Sequence, residues 1–396
     1  MPTSNYLEQI IPSIYTCIKC RGCIASKGEY KPVCPMQERF GFFAYSAGGM
    51  ICLARALYEG VMDYSNEMAE VVYACTTCRA CAEQCRNIYY LTNDYFSVPQ
   101  LVEKMRQELV DQGKVPALVR DYLKSIDLFG NPYNKPAAKR GAWAEGLGIA
   151  LYSGQEFLFY VGDVGSFDER GVKIAQVVGS VLVKNGISMG ILGNQEISDG
   201  NEVKTLGEAG LFEILAEKNI QKFRELGVKK IIALSPHGYN SLKNEYPKMG
   251  GDFQVFHYTQ IVARLIEENK LTPPRLTTKV TYHDPCYLGR YNHEYDVPRK
   301  ILQSIQGLEL IEMGQIKEEA FCCGGGGGNF FTSMLGSGER SPSRMRVRQA
   351  FETGAEVLAV ACPLCAKMLD DAVKDEGLED KLRVKDIAEI VTGASV

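Results

Sequence analysis

Apolar positions along the chain follow two different rhythms. Through 39-RFGFFAYSAGGMICLARALYEGVMDYSNEMAEVVYA-74 they recur at helical spacing. Residues 98–128 continue as one or two amphipathic helices, with Val102, Met105, Leu109 and Val110 at helical intervals. From about residue 155 the rhythm changes to short, continuous apolar runs separated by helical stretches. The runs 157-FLFYVGD-163, 189-MGILG-193, 230-KIIALSP-236, 279-KVTYHDP-285, 308-LELIEM-313 and 357-VLAVACP-363 read as strands. Residues 172–186, 207–227 and 342–354 read as the helices between them. Strands alternating with helices predict mostly parallel sheets covered on their faces. The turn-forming stretch 129-FGNPYNKPAAKRGAW-143 marks a boundary between the two rhythms.

The strand–helix part reads as a repeat. When Gly227 is laid on Gly354, 223-FRELGVKKIIALSPHG-238 overlies 350-AFETGAEVLAVACPLC-365. Ser235, Pro236, His237 and Gly238 then fall on Cys362, Pro363, Leu364 and Cys365. Ser198-Asp199-Gly200 falls near Cys322-Cys323-Gly324, and Asp163 near Cys286. The expected architecture is multidomain, with a helical module over 1–136, a lobe without cysteines over 137–268 and a cysteine-bearing lobe over 269–396. His237, in the copy without cysteines, reads as a relic with no role.

Composition narrows the chemistry. The chain has 396 residues, 45% of them hydrophobic and 23% charged, with a net charge of −4. That balance implies no general nucleic-acid partner. No run of 18 uncharged apolar residues is present, so no transmembrane segment is expected, although a membrane partner stays open. The first residues, MPTSNYLEQI, lack a secretory pattern, and a cytoplasmic location is expected. There are 14 Cys and only 4 His. Reduced thiols in that number point to metal, and thiolates without imidazoles point to iron–sulfur clusters or zinc.

The cysteines form two islands. The first holds Cys17, Cys20 and Cys23 with Cys34 following, then Cys75, Cys78 and Cys81 with Cys85 following. Two C-x2-C-x2-C triplets, each with a fourth cysteine that serves the other cluster, predict two [4Fe–4S] cubanes. One takes Cys17, Cys20, Cys23 and Cys85. The other takes Cys75, Cys78, Cys81 and Cys34. The ten residues between Cys23 and Cys34, and Arg86 in place of a proline after Cys85, depart from the usual run. This module resembles the helical two-cluster ferredoxins of respiratory iron–sulfur subunits. Cys52, in an apolar helical stretch, reads as a buried core thiol.

The second island is Cys286, Cys322, Cys323, Cys362 and Cys365. HDPC (283–286), FCCGGGG (321–327) and ACPLC (361–365) resemble the cysteine-rich CCG domain of heterodisulfide reductase catalytic subunits. Similar domains occur in the iron–sulfur subunits of glycolate and lactate oxidases and in class II benzoyl-CoA reductase complexes. Many relatives carry the motif in both lobes, whereas here the first lobe has lost it. The resemblance implies a noncubane [4Fe–4S] cluster on these five cysteines, with zinc as the alternative. It implies an oxidoreductase subunit of anaerobic metabolism, fed by a flavoprotein or other redox subunit and active within a complex. The alternative is an electron-transfer wire with a structural, zinc-holding end.

Around that motif, Gly324 and Gly325 leave the backbone free to approach a cofactor. His283 is a candidate proton donor or a hydrogen-bonding neighbour of the site. Arg344 and Arg348 share a helix face and could meet an anionic substrate tail or an acidic partner, as could Arg340 and Arg346; a solvated face is the plain alternative. No GxGxxG loop with a following acidic residue and no P-loop occur, so no FAD, NAD or ATP site is expected.

Overall fold

The computed structural model describes residues 5–85 and 97–393, and Arg86 lies outside them. The chain divides into two compact units that interleave in sequence. The first comprises Met1–Lys124, Glu202–Leu211 and Gln315–Arg346, and the second comprises Ser125–Asn201, Phe212–Gly314 and Val347–Val396.

The first unit is helical. Helices Ala47–Tyr58, Asn66–Tyr73 and Val98–Asp111 each begin at a serine whose side chain accepts an amide of the first helical turn: Ser46 from Gly49, Ser65 from Met68 and Ser97 from Gln100. In Val98–Asp111 the residues Leu101, Val102, Met105 and Leu109 are fully buried, so the amphipathic stripe read from the sequence faces the core. Cys52 does not sit in that core. It is half-buried on helix Ala47–Tyr58, within electrostatic reach of Cys17.

The second unit holds two four-stranded, wholly parallel sheets. The first contains β1 (Phe157–Tyr160), β2 (Met189–Gly190), β3 (Lys230–Ala233) and β4 (Gln254–His257), in the order β2-β1-β3-β4. The second contains β5 (Lys279–Tyr282), β6 (Glu309–Leu310), β7 (Val357–Val360) and β8 (Arg383–Asp386), in the order β6-β5-β7-β8. Every residue of β1 and β7 is buried, which is why these strands appear as unbroken apolar runs. β4 and β8 escape the hydrophobic pattern because they are short edge strands with exposed positions.

In each sheet the chain moves out to one side and then returns past its first strand. The switch lies between β1 and β3 in one sheet and between β5 and β7 in the other. Ligands of open parallel sheets gather beyond the carboxyl ends of such strands. Residues 283–286 follow β5 and residues 361–365 follow β7, so both segments stand at the switch point of the second sheet. The amide of His283 extends the ladder by donating to the Ala359 carbonyl at 3.0 Å.

Candidate metal centres

The two cysteine triplets of the first unit share one backbone conformation. Lys19 and Arg21 have φ of 56° and 60°, and Thr77 and Arg79, at the same places in the second triplet, have 48° and 65°. Non-glycine residues in this region cost of order 1–3 kcal/mol each and persist where the surroundings impose them. The turn aims an amide back at the first sulfur of each run. Lys19 N–H donates to Cys17 Sγ at 3.4 Å, and Thr77 N–H does the same for Cys75. The ten-residue departure between Cys23 and Cys34 folds into a small antiparallel excursion. Ser26 N–H meets Lys31 O at 2.8 Å and Val33 N–H meets Ile24 O at 3.0 Å, returning the chain at Cys34.

Cys34, Cys75, Cys78 and Cys81 line one pocket, together with Pro35, Met36, Ala47, Val98 and Pro99 among others. Four thiols face it, and among the described residues no carboxylate or imidazole does, a donor set suited to an iron–sulfur cluster. Burial pushes the Cys75 thiol up to about 11 against the nearby Arg106 charge. It also raises Cys34 and Cys81 well above the usual thiol range. Thiolates in such a place need a cation to hold them. Cys17, Cys20, Cys23 and Cys85 form the other group, with Cys17 and Cys23 both within electrostatic reach of Cys85. Burial raises Cys23 to about 11, while Cys20 is exposed.

The glycine-rich loop belongs to the first unit, and it packs on the second triplet. Cys322 Sγ lies 3.9 Å from Thr76 Oγ1. A Cβ on Gly327 would sit 2.4 Å from the Cys75 carbonyl oxygen, so only glycine permits this approach. Arg106, fully buried, ties the same region together. Its guanidinium donates to the carbonyls of Cys75 (2.6 Å), Val72 (3.0 Å), Tyr73 (3.1 Å), Thr205 (2.6 Å) and Gly327 (3.3 Å). Gly324, with φ of 91°, sends its amide to Cys322 Sγ at 3.3 Å, the same i+2 arrangement seen at Cys17 and Cys75. Gly325 uses its carbonyl to accept from Phe330 N–H at 2.9 Å. Cys322 and Cys323 are both buried.

In the second unit, Cys286, Cys362, Cys365 and His283 are likewise buried. Arg299 anchors the turn before Cys286 by gripping both oxygens of Asp284, at 2.7 and 2.9 Å. Cys362 caps helix Pro363–Asp375 and accepts the Cys365 amide at 3.5 Å. Burial opposes ionisation of the Cys362 thiol, but hydrogen bonds from Cys365 and His237 bring it down to about 6. None of the 14 cysteines is in a disulfide.

A buried salt bridge involves the turn after β1. Asp163 pairs with Arg140 at 2.6 Å, and Glu196 lies 3.5 Å from the same guanidinium while accepting the amides of Val161 and Gly162. Ser235 follows β3 as Cys362 follows β7, and each heads a helix. Among the arginines after the glycine loop, Arg348 is engaged by Glu376 through two 2.8 Å contacts, and Arg340 lies 3.6 Å from Glu38. No helix among the described residues is long and apolar enough to cross a membrane.

Comparison with known proteins agrees with this chemistry. Residues 13–88 match the 4Fe-4S dicluster domain, and residues 280–370 match the cysteine-rich domain CCG. The chain is 37% identical to a probable iron-sulfur-binding oxidoreductase, FadF, of Bacillus subtilis, over 81% of this chain and 46% of that protein. It is 36% identical to EtfAB:quinone oxidoreductase of Syntrophomonas wolfei, over 82% and 46% respectively. Thus it spans about half the length of these two relatives. It also resembles one subunit of the dihydromethanophenazine:CoB–CoM heterodisulfide reductase from Methanosarcina barkeri, at 27% identity over 99% of this chain and 96% of that one. With a dicluster domain ahead of a cysteine-rich domain, the chain is similar to the CCG-domain iron–sulfur oxidoreductases.

Proposed function

We propose that this chain is the iron–sulfur subunit of an oxidoreductase complex that carries electrons from a flavoprotein partner toward a disulfide or thiol acceptor. In this reading Cys17, Cys20, Cys23 and Cys85 hold one [4Fe–4S] cubane, and Cys75, Cys78, Cys81 and Cys34 hold a second. Cys286, Cys322, Cys323, Cys362 and Cys365 hold a noncubane [4Fe–4S] cluster. When bound, such clusters store and pass single electrons at potentials set by cluster type, charge and hydrogen bonding.

The observation that carries the reading is the packing of the glycine loop on the second triplet. Cys322 reaches Thr76, Gly327 rests on the Cys75 carbonyl, and Arg106 clamps both backbones. The chain's own residues hold a ligand of the CCG motif against the ligand run of a cubane. Amides of Lys19, Thr77 and Gly324 give hydrogen bonds to Cys17, Cys75 and Cys322, which stabilises negative charge on those sulfurs. In this reading His283, which is buried, gives or holds a proton near Cys286 and Cys365. The two lobes read as a duplicated unit, supported by their common strand order and by the matching places of Ser235 and Cys362.

The test is reduction of a heterodisulfide by the isolated anaerobic chain with an artificial low-potential donor. Turnover that disappears in Cys323→Ala supports catalysis at the C-terminal motif. Reducible clusters without turnover would make the chain a relay whose chemistry lies on other subunits.

A further inference from the structure

The two lobes of the second unit meet along a cleft of about 350 Å³, and every residue lining it belongs to that unit. One wall is helix Glu169–Lys184, which brings Arg170 and, one turn on, Lys173. The other wall is helix Pro363–Asp375 with β8, which bring Lys374, Arg383 and Lys385. Arg383 and Lys385 are alternate residues of a strand and so share one face. Val373 and Leu382, both buried, supply apolar surface. A cleft of this size takes a small molecule and not a folded partner.

Arg170 is the fixed point of the cleft. Its guanidinium donates to Asp370 at 2.7 Å, to the two oxygens of Glu389 at 2.6 and 2.5 Å, and to the Val384 carbonyl at 3.2 Å. Two of the three lining carboxylates are thereby engaged by one cation. The third, Glu379, is exposed. In all, five cations line the cleft against three carboxylates, in a chain whose net charge is −4. Lys374 lies 3.6 Å from Asp371, which Lys367 also holds. Lys173 and Arg383 are exposed, and among the described residues neither takes part in an ion pair. A cleft with an excess of one sign and apolar walls focuses its field and draws the opposite charge.

We propose that this cleft binds a small ligand bearing a phosphate or pyrophosphate, whose charge meets Lys173, Lys374, Arg383 and Lys385 while its uncharged part rests on Val373 and Leu382. Lysine gives a phosphate a compact positive charge, and Arg383 can offer it two parallel N–H donors. No P-loop takes part. The site is built from side chains near positions 173, 374 and 384, which no local motif connects. Because its cations come from both lobes, an occupied cleft ties the lobes together, and a ligand of the folded chain alone raises its thermal midpoint. The inference stands apart from the cluster assignment, since none of these residues is a proposed cluster ligand.

The experiment is calorimetric titration of the full chain, kept anaerobic and at low ionic strength, with inorganic pyrophosphate, ADP and uncharged adenosine. It compares wild type, the double variant Lys173→Gln with Arg383→Gln, and the control Lys218→Gln with Lys229→Gln. The control removes the same two charges from exposed positions outside the cleft. Wild type binds pyrophosphate and ADP at one site, with ADP the tighter because its uncharged part covers apolar surface. Adenosine gives no binding heat. Exposed ion pairs contribute well under a factor of ten each, so the cleft variant binds both phosphates about tenfold more weakly. The control matches wild type. Pyrophosphate raises the thermal midpoint of wild type and of the control more than that of the cleft variant. No binding to wild type, an equal loss in the control, or an unchanged affinity in the cleft variant overturns the proposal. So does adenosine binding as tight as ADP, because phosphate would then not be what the cleft recognises.

Discussion

Gly327 offers a sharp test of the packing between the glycine loop and the second triplet. A methyl group there would stand 2.4 Å from the Cys75 carbonyl oxygen and 3.0 Å from the Thr76 carbonyl carbon. Ordinary contact begins near 3.4 Å, so the two backbones must part by 3.4 − 2.4 = 1.0 Å. Neither side yields easily, since the Cys75 carbonyl is also held by Arg106 at 2.6 Å. Gly327 has φ of 61°, and Gly377 has φ of 63° with nothing within 4 Å of its missing Cβ. Gly377→Ala therefore reports the backbone cost alone, about 1–2 kcal/mol. Gly327→Ala adds an overpacking cost of about 1–3 kcal/mol, for a total of about 2–5 kcal/mol. The assay compares thermal unfolding of the two anaerobic variants with wild type and follows the resonance signal of the second cubane. The account expects the larger fall in midpoint for Gly327→Ala, with a perturbed cubane signal in that variant alone. Equal midpoints for the two variants, with an unaltered signal, would refute the reasoning.

Two further predictions concern the lobe without cysteines. Arg140→Met strands Asp163 and Glu196 without their buried cation, and thermal unfolding should register a loss of about 3–5 kcal/mol. Burial lifts the Glu196 carboxyl to about 7, so between about pH 4 and pH 7 the folded chain keeps a proton that the unfolded chain has released. That contribution is complete below about pH 4 and is lost as pH rises toward 7. Glu196→Gln should flatten the fall in thermal midpoint across this window, and a slope identical to wild type would count against the assignment.

What the sequence discloses follows burial and locality. β1 and β7 are unbroken apolar runs because every residue is buried, and such runs are visible without any alternation. β4 and β8, at the sheet edges, carry polar residues on exposed positions and give no such signal. The cysteine triplets announce metal by spacing alone. The clamp on them does not, because Arg106 gathers carbonyls from positions 72, 75, 205 and 327, which no local pattern connects. Arg106 also lies on the apolar face of its own helix, where a charged residue looks like an error until its carbonyl partners are seen. Cys52 misleads because an apolar helix need not turn every small residue to the core. A half-buried thiol near Cys17 fits the same local sequence.

The central claim is that five cysteines of the CCG motif hold a third cluster beside two cubanes. Anaerobic iron, sulfide and zinc analysis with electron paramagnetic resonance, on wild type and Cys323→Ala, tests it most directly. The account predicts about twelve irons per chain falling to about eight in the variant, with loss of one distinct signal. About eight irons in both proteins, with one zinc that the substitution removes, would contradict it and leave a two-cubane relay with a zinc-held lobe.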